Sequence, residues 1–511
     1  MRRFGSTRWA VLAIRTAVTL AAFCALLVIA VRPARAQTEA VLYDFGGSAD
    51  GADPYSALTS HDGNFYGTTY YGGLNYGTVF ELSPNGGGGW NETVLYSFTG
   101  EEDGANPSGP VTFDNAGNLY GTTSSGGYYN TGVVFELSQS GASWTETVLS
   151  HFVGGADGAN PGKGLIMDSA GNLYGTTASG GSSDAGVVFE LSPSAGGWTE
   201  QVIYNVDNAN VSQGGLTMDA AGDIFVVGNP TLFELSPDGN GGRIPTVIHT
   251  FTGTPKDGSD AIGPAVLDSS GNLYGITYEG GAKNYGTVYK LSPGRNGRWT
   301  EKILHSFGSG KDGKYPTPGI VFDAAGNIYG TTSFGGKPNA GTVFELMAPV
   351  GPGGYKEKVL WSFPGTDGIY SDGAFPDGSL ILDSAGYLYG TTESGGKSAA
   401  NGDLCGVVFE INPSATATTT TLSSAPNPST NGEAVTFTAV VTSISGVPPD
   451  GETASFMKGS TALGTGALSG GTTSFATSVL KVGTTTVTAV YAGDFDFVGS
   501  KSSVVKQVVK K

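Results

Sequence analysis

From about residue 38 to residue 413 the chain is a succession of short runs rich in β-branched and aromatic residues, each closed by a cluster of Gly, Pro, Asp and Asn. This is the pattern of strands joined by tight turns. The stretch 117–138, GNLYGTTSSGGYYNTGVVFELS, shows the unit best. In that copy the pattern predicts strands over 110–114, 118–123, 132–137 and 144–152, with a turn at 115–118 where Gly117 supplies the positive φ.

The unit repeats. Tyr66, Tyr120, Tyr174, Tyr274, Tyr329 and Tyr389 hold the same place in it, and Phe225 stands there in a degenerate fourth copy, so the spacings are 54, 54, 51, 49, 55 and 60 residues. A period in this range, with four strands per unit, predicts propeller blades and not a one-turn-per-coil solenoid. The phase of the repeat adds a prediction. QTEAVLYDF at 37–45 matches the fourth strand WNETVLYSF at 90–98, whereas the seventh copy supplies only three strands before Asn412 and Pro413. The expected fold is therefore all-β: a seven-bladed β-propeller over 37–413, closed by the N-terminal strand and leaving few free sheet edges.

Through LYGTT, GG, GTVFELSP and DG-x-x-P, over about residues 40–413, each copy resembles the GloVer-type tandem repeat of secreted bacterial proteins described as choice-of-anchor. The resemblance implies export and a repeat fold, and no established activity. The fourth copy, FVVGNPTLFEL at 225–235, has lost the Gly-Gly loop and predicts a short hairpin there.

Past a linker at 414–417 the composition shifts to Thr, Ser and Val, with alternating runs such as TFTAVV and TTTVTAVY. Residues 418–511 predict an Ig-like β-sandwich. TTTTLSSAPNPSTNGEAVTFTAVVTS and VYAGDFDFVGSKS resemble bacterial Ig-like repeats, which implies a spacer or attachment module.

Residues 1–36 carry arginines, then an apolar run from about Thr16 to Val31, then Ala34-Arg35-Ala36. This is the layout of a cleaved signal peptide, with an apolar run too short to span a bilayer. Its loss takes six arginines and no acid, moving the net charge from −18 to about −24. Such a chain is a poor partner for nucleic acid or anionic membranes. Cys405 is the only cysteine past the signal, so no intrachain disulfide forms, and a buried thiol filling apolar space is expected.

Candidate chemistry is sparse. His249 and His305 occupy the place held elsewhere by Tyr43, Tyr96, Tyr204 and Trp361, which points to packing; His61 and His151 are also read as structural. The Glu of FEL (Glu81, Glu136, Glu190, Glu234, Glu345, Glu410) reads as a strand residue that pairs with a neighbour or faces water. The Asp of D-x-x-G-N (Asp114, Asp168, Asp268, Asp323) reads as a turn residue. No catalytic residue is assigned. The candidate ligand-binding set is the acidic step after each fourth strand, Asp103, Asp157, Asp257, Asp312 and Asp367, with Tyr71, Tyr129 and Tyr278 of the neighbouring Gly-Gly loops. Alternating strand direction puts both loop sets on one rim, where carboxylates would attract a divalent cation such as calcium and tyrosines would stack on sugar faces. The expectation is a monomeric, exported, non-catalytic binding protein for an extracellular glycan or a surface protein. The alternatives are a glycan hydrolase or lyase using carboxylates near a central channel, and a pure surface scaffold.

Overall fold

The computed structural model describes residues 38–413 and 418–511, apart from 48, 87–88, 142, 208–210, 212–214, 309–311, 350–352, 365–371, 397–404, 444–445, 449 and 494–496. The segments expected to be a signal peptide and a linker lie outside the described residues. Two compact units separate, one containing Thr38–Pro413 and the other Ser414–Lys511. Among the described residues the structure is all-β, with one 3-10 turn at Arg295–Gly297.

Thr38–Pro413 forms seven antiparallel sheets, numbered here 1 to 7 in chain order. Sheet 2 is representative. It runs from Ala105–Pro107 and Thr112–Phe113, both paired with Leu119–Ser125, through Val133–Ser140 to Ser143–His151. The expected first strand at 110–114 is thus only half of the strand that forms. The DG-x-x-P segment supplies the other half, with Ala105 opposite Ser125 and Pro107 opposite Thr123. Proline is tolerated because this is an edge strand and its missing N–H breaks no ladder.

Sheet 7 takes its last strand from the chain's beginning: Thr38–Asp44 pairs antiparallel with Val407–Asn412, Thr38 opposite Asn412 and Asp44 opposite Val407. In sheet 4 the loop between Ile224–Val227 and Thr231–Pro237 is short, as the missing Gly-Gly implied.

The motif residues are explained by packing between sheets. In LYGTT the Leu and Tyr are buried, and the Gly lies over the ring of the FEL Phe: a Cβ on Gly121 would stand 2.5 Å from Phe135 Cζ, and one on Gly175 2.4 Å from Phe189 Cζ. A Phe after the fourth strand meets that ring edge-on from the preceding sheet in several junctions, as in Phe98–Phe135 and Phe152–Phe189, both at 5.1 Å, while sheet 3 has Val206 at this place. Seven apolar clusters result, each shared by two sheets. One of them joins Phe45, Tyr389, Cys405 and Val408 of sheet 7 to Leu58, Phe65, Phe80 and Leu82 of sheet 1. Cys405 is buried there, in the filler position expected.

Residues 418–511 form a three-stranded and a six-stranded sheet around Phe437, Phe456, Val487 and Ala489. Alternating burial along Val435–Ser443 gives one face to the core and one to water.

Candidate functional site

The Asp-Gly and Gly-Gly loops meet, as alternating strand direction required. Gly127 N–H donates to Glu101 O at 2.7 Å, and Gly281 N–H to Asp257 O at 2.8 Å. The aspartates themselves turn inward onto their own loops. Asp103 accepts from Thr99 N–H at 2.8 Å and from Tyr96 Oη at 3.0 Å. Asp157 accepts from Val153 N–H at 2.8 Å, Asp257 from Thr252 N–H at 2.8 Å, and Asp312 from Gly308 N–H at 2.5 Å. Asp367 lies outside the described residues. The place equivalent to Asp103 in sheet 7 belongs to Asp372, which directly precedes Gly373 and Ala374–Pro376 just as Asp103 precedes Gly104 and Ala105–Pro107.

Each of these aspartates faces a glutamate that the sequence did not single out, the Glu of the Trp-x-Glu strand in the following sheet. The encounters are Asp50 with Glu92, Asp103 with Glu146, Asp157 with Glu200, Asp257 with Glu301, Asp312 with Glu357 and Asp372 with Glu39. Burial and then the facing aspartate push Glu39 and Glu301 up to about 8, and Glu92, Glu146 and Glu357 up to about 7.

A β-bulge in each last strand turns a third side chain into this seam. In sheet 1 it lies opposite Val79/Phe80 and places Tyr96; in sheet 4, opposite Leu232/Phe233, it places His249; in sheet 5, opposite Val288/Tyr289, it places His305. Tyr43 and Tyr96 donate to Asp50 and Asp103, both at 3.0 Å. His249 and His305 pack as expected, edge-on to Phe251 and Phe307 at 4.7 Å each, and they also reach carboxylates. His249 Nε2 stands 3.3 Å from Asp257 Oδ1 and 4.0 Å from Glu301 Oε1, and His305 Nε2 3.6 Å from Asp312 Oδ1. His61 and His151 stack on Phe113 and Tyr128, as structural residues do. The D-x-x-G-N aspartates cap turns: Asp114 accepts from Ala116 N–H at 2.8 Å and Asn118 N–H at 2.9 Å. The FEL glutamates pair with neighbours, as in Tyr66 Oη to Glu81 at 3.1 Å.

A second arrangement lies at the opposite, first-strand edges of the sheets. Sheets 5, 6 and 7, residue Lys163 of sheet 3, and the segment entering sheet 1 together line a cavity of 300 Å³, through Tyr55, Lys163, Asp260, Ile262, Tyr278, Thr317, Pro318, Ser333 and Asp377. The first-strand segments of the sheets share an unusual backbone. Asp53, Asn106, Asn160, Asp260, Tyr315 and Phe375 hold φ of 55°, 56°, 54°, 58°, 57° and 56°, a left-handed conformation uncommon for Tyr and Phe.

Aromatic rings run beside the cavity. Tyr278 stacks on Tyr315 at 4.8 Å, Tyr315 meets Phe334 at 6.1 Å, and Phe334 meets Phe375 at 5.4 Å. Tyr55 meets Tyr70 at 5.7 Å and donates to Glu393 at 3.2 Å. Burial, then Glu393, pushes Asp53 up to about 6; burial also raises Asp377, against the pull of Lys163. Of the three candidate tyrosines, Tyr278 lines the cavity, Tyr71 packs on Tyr70 at 4.8 Å with half its surface open, and Tyr129 is 63% exposed. The larger cleft, 810 Å³ along the seam of Asp157 and Glu200, is lined by no aromatic side chain.

A family model described as Gloeobacter/Verrucomicrobia repeat matches residues 27–145, 75–230 and 223–446, and one described as bacterial Ig-like domain (group 3) matches 422–510. No curated protein matches the chain in sequence. Among solved structures, the extracellular domain of a one-component system from B. thetaiotaomicron is 11% identical, with a TM-score of 0.47 over 93% of this chain and 58% of that one. The chain thus spans little more than half the length of that relative. An ulvan lyase of a polysaccharide lyase family is 10% identical, TM-score 0.45, covering 73% of this chain and 95% of that one. The sialidase of Trypanosoma rangeli is 11% identical, TM-score 0.32, covering 92% and 88%. No helix among the described residues is long and apolar enough to cross a membrane.

Proposed function

Given that this chain belongs to the Gloeobacter/Verrucomicrobia repeat family, we propose that its seven sheets close into a seven-bladed β-propeller that binds an extracellular saccharide in the cavity at its axis. Closure is supported by the junction of sheets 7 and 1, which repeats what joins the others. Thr391 Oγ1 donates to Ser56 O at 3.1 Å, as Thr68 does to Gly109 O at 3.1 Å and Thr122 to Gly162 O at 2.9 Å. Residues 1–36 act as the export signal and the Ig-like module as a spacer, so the propeller works outside the cell.

The observation that carries the binding reading is the make-up of the cavity. Tyr55 and Tyr278 offer aromatic rings, and Asp260, Asp377, Lys163, Thr317 and Ser333 offer donors and acceptors. Its 300 Å³ is at the small end of ligand pockets and fits one or two sugar rings. Aromatic faces beside hydroxyl, carboxylate and ammonium groups suit a hydroxyl-rich ring better than an apolar ligand or a phosphate.

The test is a glycan-array screen of the chain from residue 37, followed by titration calorimetry on the best glycan. Tyr278→Ala and Asp377→Asn should each weaken binding about tenfold, the loss of one stacking or charge-assisted contact. No glycan bound, or both variants binding like wild type, refutes the reading. A hydrolase or lyase reading rests on Asp53, whose pKa burial and Glu393 raise to about 6, and on the link from Glu393 to the cavity through Tyr55 Oη, which donates to it at 3.2 Å. Release of reducing ends from a polysaccharide, abolished by Asp53→Asn, would establish it.

A further inference from the structure

We propose that His249, Asp257 and Glu301 form a binding site for a divalent transition-metal ion of the zinc type, held across the seam between sheets 4 and 5. One ligand atom from each lies within 4.8 Å of the other two, and no other described group of three His, Cys, Asp or Glu residues does this. Atoms coordinated tetrahedrally at about 2.0–2.2 Å stand roughly 3.3–3.5 Å apart. The His249 Nε2 to Asp257 Oδ1 separation of 3.3 Å already matches, and the 4.0 Å to Glu301 Oε1 closes with a small side-chain movement.

The surroundings are those of a built site. Thr252 N–H and Oγ1 both donate to Asp257 Oδ2, at 2.8 and 2.6 Å, which leaves Oδ1 directed at the imidazole. Asp257 is 7% exposed. Glu301 Oε1 is buried, and its carboxyl group faces Asp257. In this half-dry seam an imidazole stands beside two carboxyl groups, whereas the same seam in sheets 7 and 1 has Tyr43 and Tyr96, which satisfy the aspartate with an O–H instead. Substituting His for Tyr exchanges a hydrogen-bond donor for a metal ligand.

An imidazole in the set favours zinc, cobalt or nickel over calcium or magnesium, which prefer oxygen throughout. Three protein ligands leave a fourth position for water. The ion would staple sheet 4, the degenerate copy, to its neighbour. His305, Asp312 and Glu357 repeat the set between sheets 5 and 6 in a wider arrangement.

The test uses the whole chain stripped with a chelator, with Zn²⁺ alone as the probe at pH 7.5. Titration calorimetry should find an equivalent of zinc lost in His249→Tyr, a variant expected to fold because tyrosine holds this place in sheets 7 and 1. At zinc about 100-fold above its Kd the melting temperature should rise by about 3 °C in wild type and not in His249→Tyr. Glu301→Gln should weaken binding at least tenfold. Wild type giving neither heat nor a thermal shift overturns the proposal. So does His249→Tyr binding zinc with unchanged stoichiometry and affinity, or calcium stabilising the protein as much as zinc.

Discussion

Replacing Phe45 with alanine tests whether the N-terminal strand is part of one cooperative ring. Phe45 follows the strand Thr38–Asp44, is fully buried, and meets Phe80 of sheet 1 edge-on at 5.1 Å. Phe152 makes the same contact with Phe189, also at 5.1 Å, in the interior of the chain. A buried Phe→Ala substitution costs about 3–5 kcal/mol, transfer and cavity together. A unit of roughly 380 residues unfolds with an entropy of about 0.8 kcal/mol per kelvin, so the melting temperature should fall by about 4–6 °C. Phe45→Ala and Phe152→Ala should therefore give equal shifts by differential scanning calorimetry, with the transition still single. If Phe152→Ala moves the midpoint by this amount and Phe45→Ala by less than about 1 °C, the first strand is a loosely docked appendage and closure through it is wrong.

The seam glutamates predict a pH dependence. The folded pKa values of about 7 for Glu92, Glu146 and Glu357, and about 8 for Glu39 and Glu301, lie above the ordinary 4.5. The folded state therefore holds protons that the unfolded state releases. This contribution is complete below about pH 4.5 and is lost as the pH rises through 7 to 8, so the melting temperature of metal-free protein should fall between pH 5 and 8.5. Glu146→Gln, which stays neutral, should melt higher than wild type at pH 8.5; a flat wild-type profile counts against the shifts. Gly121→Ala should destabilise by about 1–3 kcal/mol in urea titration, because its Cβ would stand 2.5 Å from the fully buried Phe135 ring. Gly196→Ala, with open space around it, is the control and should change stability by less than about 0.5 kcal/mol.

Much of the fold was legible because it is written locally. Strand runs, turn residues and a seven-fold count depend on neighbours within one repeat, and the offset of residues 37–45 needed only comparison between copies. The buried state of Cys405 and the capping role of Asp114 followed from the same local chemistry. The candidate sites were less legible. Asp103 could be named from its repetition, but its partner Glu146 lies on a strand of the next sheet, and only the packing of edge strands brings the two carboxyls together. The sequence likewise placed His249 in a tyrosine position without disclosing that a bulge aims it at Asp257 and Glu301. The cavity is a still more distant product. Tyr55, Lys163, Asp260 and Asp377 are separated by whole sheets in the chain, and no periodicity encodes which of seven similar edges carries which side chain inward. Hydrophobic alternation specifies the faces of a strand; which faces meet is decided by how twisted sheets stack.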